Sequence, residues 1–318
     1  MGAIRTISDA ANAVAAVFFL FGMAGTLQVV QVSSFLLRPF SERLLVQINS
    51  KLVGTVWSVM QYIFEKRQKA HITFSGDRLP DKESAIVICN HRSWTDFYLL
   101  HSVAIRRQML SNCKYFVKDS IKWLPFFGWG MWLADFIFVR RSWAQDEKRI
   151  QAQFANIKRL KMPVWLMSFA EGTRLTPTKL LLSQAYCNEH GYEIMRNVLL
   201  PRTKGFITCV NSFRSSHVKY VYDVTIAYRC SDGTATAPDM VRVHVRPLEN
   251  DYEFHVNVKR YAIADLPDND EELSAWLRQR YVEKDLFLTK LHSSWIQGLD
   301  EQVWEEPYWK RNNKDIRT

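Results

Sequence analysis

From about residue 72 onward the apolar positions fall into short runs separated by longer amphipathic stretches. The short runs, bounded by polar or turn-forming residues, predict strands at 72–74, 85–89, 136–139, 164–169, 221–229, 241–245 and 254–258. Stretches with helical spacing predict helices at 96–104, 142–161, 179–190 and 271–288. Ser142 followed three residues later by Gln145 has the form of a capping box. Strands interleaved with helices predict an α/β fold, a mixed sheet flanked by helices. Fewer helices separate the later strands, which predicts an antiparallel portion there. There is no internal repeat and no low-complexity linker, and the Trp-, Lys- and Arg-rich C-terminus predicts only a surface helix.

The N-terminus has a different pattern. No charged residue occurs from Ala10 to Leu37. A membrane-crossing helix needs about 20 apolar residues, so this stretch is long enough. A cleaved signal peptide is the rival reading, with Ala24-Gly25-Thr26 as its cleavage site. Against it, apolar residues continue through Val29, Val30, Phe35, Leu36 and Leu37. Of the basic residues only Arg5 precedes the stretch, whereas Arg38, Arg43, Lys51, Lys66, Arg67 and Lys69 follow it. That asymmetry predicts that the bulk of the chain faces the cytosol. Ser41 is the predicted cap of a second helix reaching about Glu65, either lying in the membrane interface or packed on the folded body. A third apolar stretch, 123–139, is interrupted by Pro125, Gly128 and Gly130. It predicts a loop, a short helix and then a strand, rather than a span. The predicted organisation is therefore N-terminal anchoring helices at 1–68, a body at 69–265 and a helical C-terminal extension at 266–318.

Composition narrows the function classes. The 318 residues are 47% hydrophobic and 23% charged, which suits a folded protein and argues against disorder. The net charge of +10 attracts anions, but the basic residues are dispersed and no zinc-finger or RNA-recognition spacing occurs. Nucleic acid is therefore not the expected partner; an anionic lipid surface or phosphate is. The eleven tryptophans suit either a core or a membrane-interface belt. Five cysteines, an odd number without C-x-x-C, argue against a disulfide scaffold or a zinc site.

Two turns carry candidate chemistry. After the run 85–89 comes Asn90-His91-Arg92-Ser93-Trp94-Thr95-Asp96. A histidine oriented by a carboxylate can take a proton from a hydroxyl at neutral pH. On a regular helix, residues five apart are separated by about 140°, so the pair cannot meet there. It can meet if His91 lies in the loop and Asp96 in the first helical turn. The run 164–169 then leads into Ala170-Glu171-Gly172-Thr173-Arg174. Gly172 permits a close backbone approach, and Arg174 can grip a phosphate through two parallel hydrogen bonds. Glu171 can accept from a substrate hydroxyl or position Arg174. A third segment, Leu199-Leu200-Pro201-Arg202-Thr203-Lys204-Gly205-Phe206, puts two cations on another predicted loop. Each element alone is a common turn; the placement of the first two after strands, and their occurrence together, raise their weight. No G-x-S-x-G occurs, which weakens a serine hydrolase reading.

The four blocks 90–96, 125–140, 169–174 and 199–206 occur in the order found in the membrane-bound glycerolipid acyltransferases, which include the 1-acyl-glycerol-3-phosphate acyltransferases. The chain resembles that family over about residues 70–265, and Ala170 stands where many relatives carry Pro. Residues 221–225 and 276–285 resemble its eukaryotic branch, with lysophosphatidic-acid, lysophosphatidylinositol and lysocardiolipin acyltransferases. The resemblance implies transfer of an acyl group from acyl-CoA, as co-substrate and without a cofactor or metal, to the sn-2 hydroxyl of a lysophospholipid. Lysophosphatidic acid is the first expected acceptor, with lysophosphatidylinositol remodelling the alternative within the class. A non-catalytic lipid-binding protein is the alternative outside it. By the same resemblance His91 is the general base and Asp96 its orienter. Arg174, with Glu171, Gly172 and Thr173, binds the acceptor phosphate, and Lys118, Arg202 and Lys204 assist with phosphate or CoA. Acyl chains would enter from the lipid bilayer past the aromatic stretch 123–138, and the endoplasmic reticulum membrane is the expected location.

Overall fold

The computed structural model describes residues 2–140 and 142–307. Among them, seven strands form one mixed sheet: β1 Ile72–Gly76, β2 Ala85–Cys89, β3 Cys113–Lys118, β4 Ile137–Val139, β5 Trp165–Ser168, β6 Tyr220–Cys230 and β7 Tyr252–Ala262. Their order is β1-β7-β6-β2-β5-β3-β4. β6 and β7 are antiparallel over eleven pairs, and the other neighbours are parallel. The helices are α1 Gly2–Ser33, α2 Glu42–Tyr62, α3 Asp96–Arg106, α4 Phe127–Leu133, α5 Trp143–Leu160, α6 Pro177–His190, α7 Thr203–Phe213, α8 Arg242–Val245 and α9 Asp270–Ser294.

β2 is central and buried on both faces, as an uninterrupted apolar run in a parallel sheet should be. Its alternation divides the core. Val87 and Cys89 join the cluster that includes α2 and α3 residues, while Ile86 and Ile88 join the one formed with α5, α7 and α9. The chain leaves β2 through α3 on the first face and leaves β5 through α6 and α7 toward β6 on the far side of β2. A crevice at the carboxyl ends of β2 and β5 follows from that divergence.

Four predicted features differ. Residues 241–245 are not a strand: α8 occupies them, because Asp239 accepts the Arg242 N–H at 2.7 Å and starts a helical turn. The full-length pairing of β6 with β7 also leaves no place between them for another strand. The sequence pattern missed β3, where the buried Lys114 interrupts an otherwise apolar run, and α7, read as a loop. Ser142 does cap α5, but by backbone position only: Asp146 takes the Ser142 and Arg140 N–H groups, so no capping box forms. Between α9 and residue 307 the described chain forms only the short 3-10 turn Trp295–Gly298 and extended segments, and the rest of the predicted C-terminal surface helix lies outside the described residues. Trp304 pairs antiparallel with Phe74 and covers the open edge of β1.

α1 is apolar enough to cross a membrane, with mean hydropathy 2.0 over a segment reaching Leu37. One stripe of it, Leu20, Ala24, Gln28 and Gln31, is buried against the body. It is tied at both ends: the Asn12 amide donates to the Val245 carbonyl at 3.1 Å, and the Gln31 amide to Gly130 at 3.4 Å. Its other face exposes Val14, Val17, Phe18, Val29 and Val32. Ser41 caps α2 by accepting the Leu44 N–H, as its sequence predicts.

Candidate active site

His91 and Asp96 meet as the loop-then-helix reading requires. Residues 90–95 leave β2 as a loop and Asp96 is the first residue of α3. His91 Nδ1 lies 2.7 Å from Asp96 Oδ2. The same oxygen accepts the Arg92 N–H at 2.7 Å, and Oδ1 accepts the Ser93 N–H at 3.0 Å and the Tyr228 hydroxyl at 2.7 Å. Asp96 is fully buried and receives only donors, so the shared proton sits on His91 Nδ1 and leaves Nε2 with its lone pair outward. The His91 ring stacks on Phe169 at 4.1 Å between centroids and its side chain is 19% exposed. It is clamped on one side and open on the other. Asn90 fastens the root of this loop: its side chain donates to the Ile226 carbonyl and accepts the Ile226 N–H.

The loop after β5 is sewn to this one. Glu171 Oε1 accepts the His91 N–H at 2.9 Å, Oε2 accepts the Leu199 N–H at 3.3 Å, and the Leu175 N–H donates to the His91 carbonyl at 2.8 Å. Burial pushes the Glu171 carboxyl up to about 8, against the two backbone donors that pull it down. Glu171 therefore neither pairs with Arg174 nor reaches the surface; it fixes backbone. Gly172 has φ +70°, which glycine adopts without strain, and a Cβ there would stand 3.0 Å from Arg202 Cδ and press on that side chain.

Arg174 is half-buried, its guanidinium 4.9 Å from the centre of the exposed Trp94 ring. Thr173 accepts from Lys179 Nζ at 2.5 Å, adding a cation to the same rim. Arg202 packs over Gly172 while its N–H donates to the Ala170 carbonyl at 2.7 Å. Lys204 is not on a loop but in the first turn of α7, exposed. Lys118 ends β3, two strands from β2, and is exposed. Among the described residues none of Arg174, Arg202, Lys204 or Lys118 has a carboxylate within ion-pair distance. The structure thus brings His91, Asp96, Glu171, Gly172, Thr173, Arg174 and Arg202 together on two interlocked turns at the carboxyl ends of β2 and β5, with Lys204 in α7 and Lys118 two strands away.

The profile of the family described as acyltransferase matches residues 71–229, and that of the acyltransferase C-terminus matches residues 248–298. The 1-acyl-sn-glycerol-3-phosphate acyltransferase 2 of Brassica oleracea is 33% identical over 295 residues, 91% of this chain and 73% of that protein. The chain belongs to the acyltransferase family. The human 1-acyl-sn-glycerol-3-phosphate acyltransferase gamma is 28% identical over 272 residues, covering 84% of this chain and 70% of its own. The crystal structure of the 1-acyl-sn-glycerophosphate acyltransferase PlsC from Thermotoga maritima superposes with a TM-score of 0.54. It covers 92% of this chain and 99% of that one, and at 16% identity it speaks to the fold alone.

The acyltransferase site also contains one residue outside every sequence motif, and two motif residues to which the sequence assigns no role. Tyr228, in β6, supplies the fourth donor to Asp96, and Leu199 and Asn90 act through backbone or amide groups. Tyr228 is 132 positions from Asp96. Nothing local marks it, since a tyrosine inside a β-rich run reads as core.

Proposed function

We propose that this acyltransferase moves a fatty acyl group from acyl-CoA to the sn-2 hydroxyl of a lysophospholipid, with lysophosphatidic acid as acceptor and phosphatidic acid as product. The observation that carries the reading is His91, held through Nδ1 by Asp96 with Nε2 open, beside the uncompensated cation Arg174. The names of the relatives favour the phosphate-bearing acceptor. His91 Nε2 takes the hydroxyl proton as the oxygen attacks the thioester carbonyl. The tetrahedral intermediate collapses, the carbon–sulfur bond breaks, and the imidazolium returns the proton to the departing CoA sulfur. The thioester is already activated, so no acyl-enzyme is needed. Asp96 stabilises the imidazolium between the two steps. Arg174 binds the acceptor phosphate, with Arg202 and Lys179 beside it and Lys118 and Lys204 available to the CoA phosphates. Glu171, Gly172 and Thr173 shape that loop rather than touch the phosphate. No resident cofactor or metal takes part.

The membrane contact in this reading is the exposed apolar face of α1 together with Trp123 (72% exposed), Trp129 and Trp132 near α4. Because α1 is tied to the body at both ends, it rests along the protein with its outer face in lipid. The endoplasmic reticulum membrane, on the cytosolic side, is the proposed location.

The test is CoA release from oleoyl-CoA by purified membranes, offered lysophosphatidic acid, lysophosphatidylinositol or no acceptor. Release should depend on acceptor, rank lysophosphatidic acid first, and fall about 10²–10⁴-fold in His91→Ala. Equal release without acceptor would point to hydrolysis and sink the transferase reading. Arg174→Ala should raise the acceptor KM about 10–100-fold through loss of charge-assisted hydrogen bonds, with a smaller change in kcat.

A further inference from the structure

α9 crosses the back of the site and sends three buried side chains into it, Tyr281, Lys284 and Asp285, at helical spacing along one face. The last β2–β5 ladder pair is Ile88 with Ser168. Beyond it the two strands part to open the crevice, and the next peptide groups lose their mutual partners. The Tyr281 hydroxyl stands in that gap and donates to the Cys89 carbonyl at 2.9 Å, holding the end of β2 to α9. Cys89 precedes Asn90-His91. α9 thus holds the β2 side of the gap directly through Tyr281, and the Glu171 side through Asp285 and the segment that bonds Glu171.

The other two side chains hold the remaining walls. Asp285 Oδ1 accepts the N–H groups of Arg196 at 2.8 Å and Asn197 at 2.5 Å, just before Leu199, whose own N–H bonds Glu171. Lys284 Nζ donates to the Val224 carbonyl at 2.6 Å and pairs with Asp223, both on β6, the strand that carries Tyr228. All three side chains are too deeply buried to meet substrate.

We infer that α9 is the positioning element of the catalytic centre, with the Tyr281 hydroxyl as the anchor of the His91 loop and Asp285 as the anchor of the segment that bonds Glu171. Tyr281 is a positioning residue: it acts through the register of the His91 loop, and small errors of register cost rate steeply. The kinetic part of this inference rests on the acyl-transfer reading; the geometric part does not.

The experiment compares Tyr281→Phe with Tyr261→Phe in the full-length, membrane-bound protein. Tyr261 loses a hydrogen bond to the same helix, from Arg280 at 2.7 Å, without touching the site. Tyr281→Phe should lower kcat about 10-fold or more while the KM for acceptor and for acyl-CoA each stay within about two-fold. Tyr261→Phe should leave kcat within about two-fold. Amide hydrogen exchange should accelerate in peptides spanning 89–93 and 169–175 in Tyr281→Phe only. Equal kinetics in the two variants, or unchanged exchange in those peptides, would overturn the inference. A wild type that fails to transfer acyl groups sinks the proposed reaction instead, and the exchange comparison still decides the anchor. Should Tyr281→Phe not fold, Asp285→Ala must lower kcat and loosen peptides spanning 194–200; normal kcat there would refute the role of α9.

Discussion

The turns after β2 and β5 each bury a carboxylate at the same crevice and use it differently. Asp96 accepts four hydrogen bonds, from His91, two backbone N–H groups and Tyr228. Glu171 accepts two, both from backbone, and burial outweighs them. A buried charge is tolerated in proportion to the donors aimed at it, not to its depth. The first carboxylate is thereby equipped to orient a histidine that changes charge during reaction. The second is equipped to hold two segments of chain together.

The sharpest way to break this contrast is Asp96→Asn. An amide cannot accept from four donors, and its NH₂ would force the wrong histidine tautomer. We expect kcat to fall about 10³–10⁴-fold, measured under saturating substrates with near-ultraviolet circular dichroism as the check on folding. Retained turnover would remove Asp96 from the mechanism.

Glu171→Gln addresses the other half. A carboxyl raised to about 8 binds its proton more tightly in the folded chain than in the unfolded one. Its stabilising contribution is present below the ordinary glutamate range and is lost as pH rises through about 8. Wild type should therefore lose a few kcal/mol relative to Glu171→Gln between about pH 5 and pH 9. Denaturant unfolding at both pH values measures this, and parallel behaviour of the two proteins would contradict it.

Tyr228→Phe removes one donor of four from Asp96 and should cost about 1–2 kcal/mol, seen as a kcat decrease near 10-fold with unchanged KM. An effect as large as that of Asp96→Asn would mean that the donors do not share the load. Gly172→Ala should have the smallest effect, about 1 kcal/mol of backbone strain and a displaced Arg202. Differential scanning calorimetry should show a drop of a few degrees, with a modest rise in acceptor KM. An unchanged Tm would show that the loop relaxes freely.

Much of this was legible in the chain. The apolar run of β2, the loop that follows it and the His91–Asp96 spacing could be placed because each depends on neighbours in sequence. The Glu171-to-Arg174 turn could be placed too, but not its wiring: the spacing allows Glu171 to partner Arg174 or substrate, whereas it binds the N–H groups of His91 and Leu199. β3 escaped because its buried lysine finds partners only in the fold, in Ser50 and Ala134. Residues 241–245 misled for the converse reason. Their β-prone composition was overruled by the Asp239 cap and by a sheet whose places were already taken.

The kind of protein is written in the order of its residues: strand-then-turn motifs bearing a base, its carboxylate and an arginine, behind an apolar N-terminal helix. Those signals are local, and local spacing is what periodicity and turn chemistry report. How the site is held depends on contacts between distant parts of the chain. Tyr228, Leu199, Tyr281 and Asp285 reach it from β6, from the 196–200 loop and from α9, across separations of up to 192 residues. Hydrogen bonds of that span leave no trace in periodicity, because partner and distance exist only once the sheet order has brought the strands together.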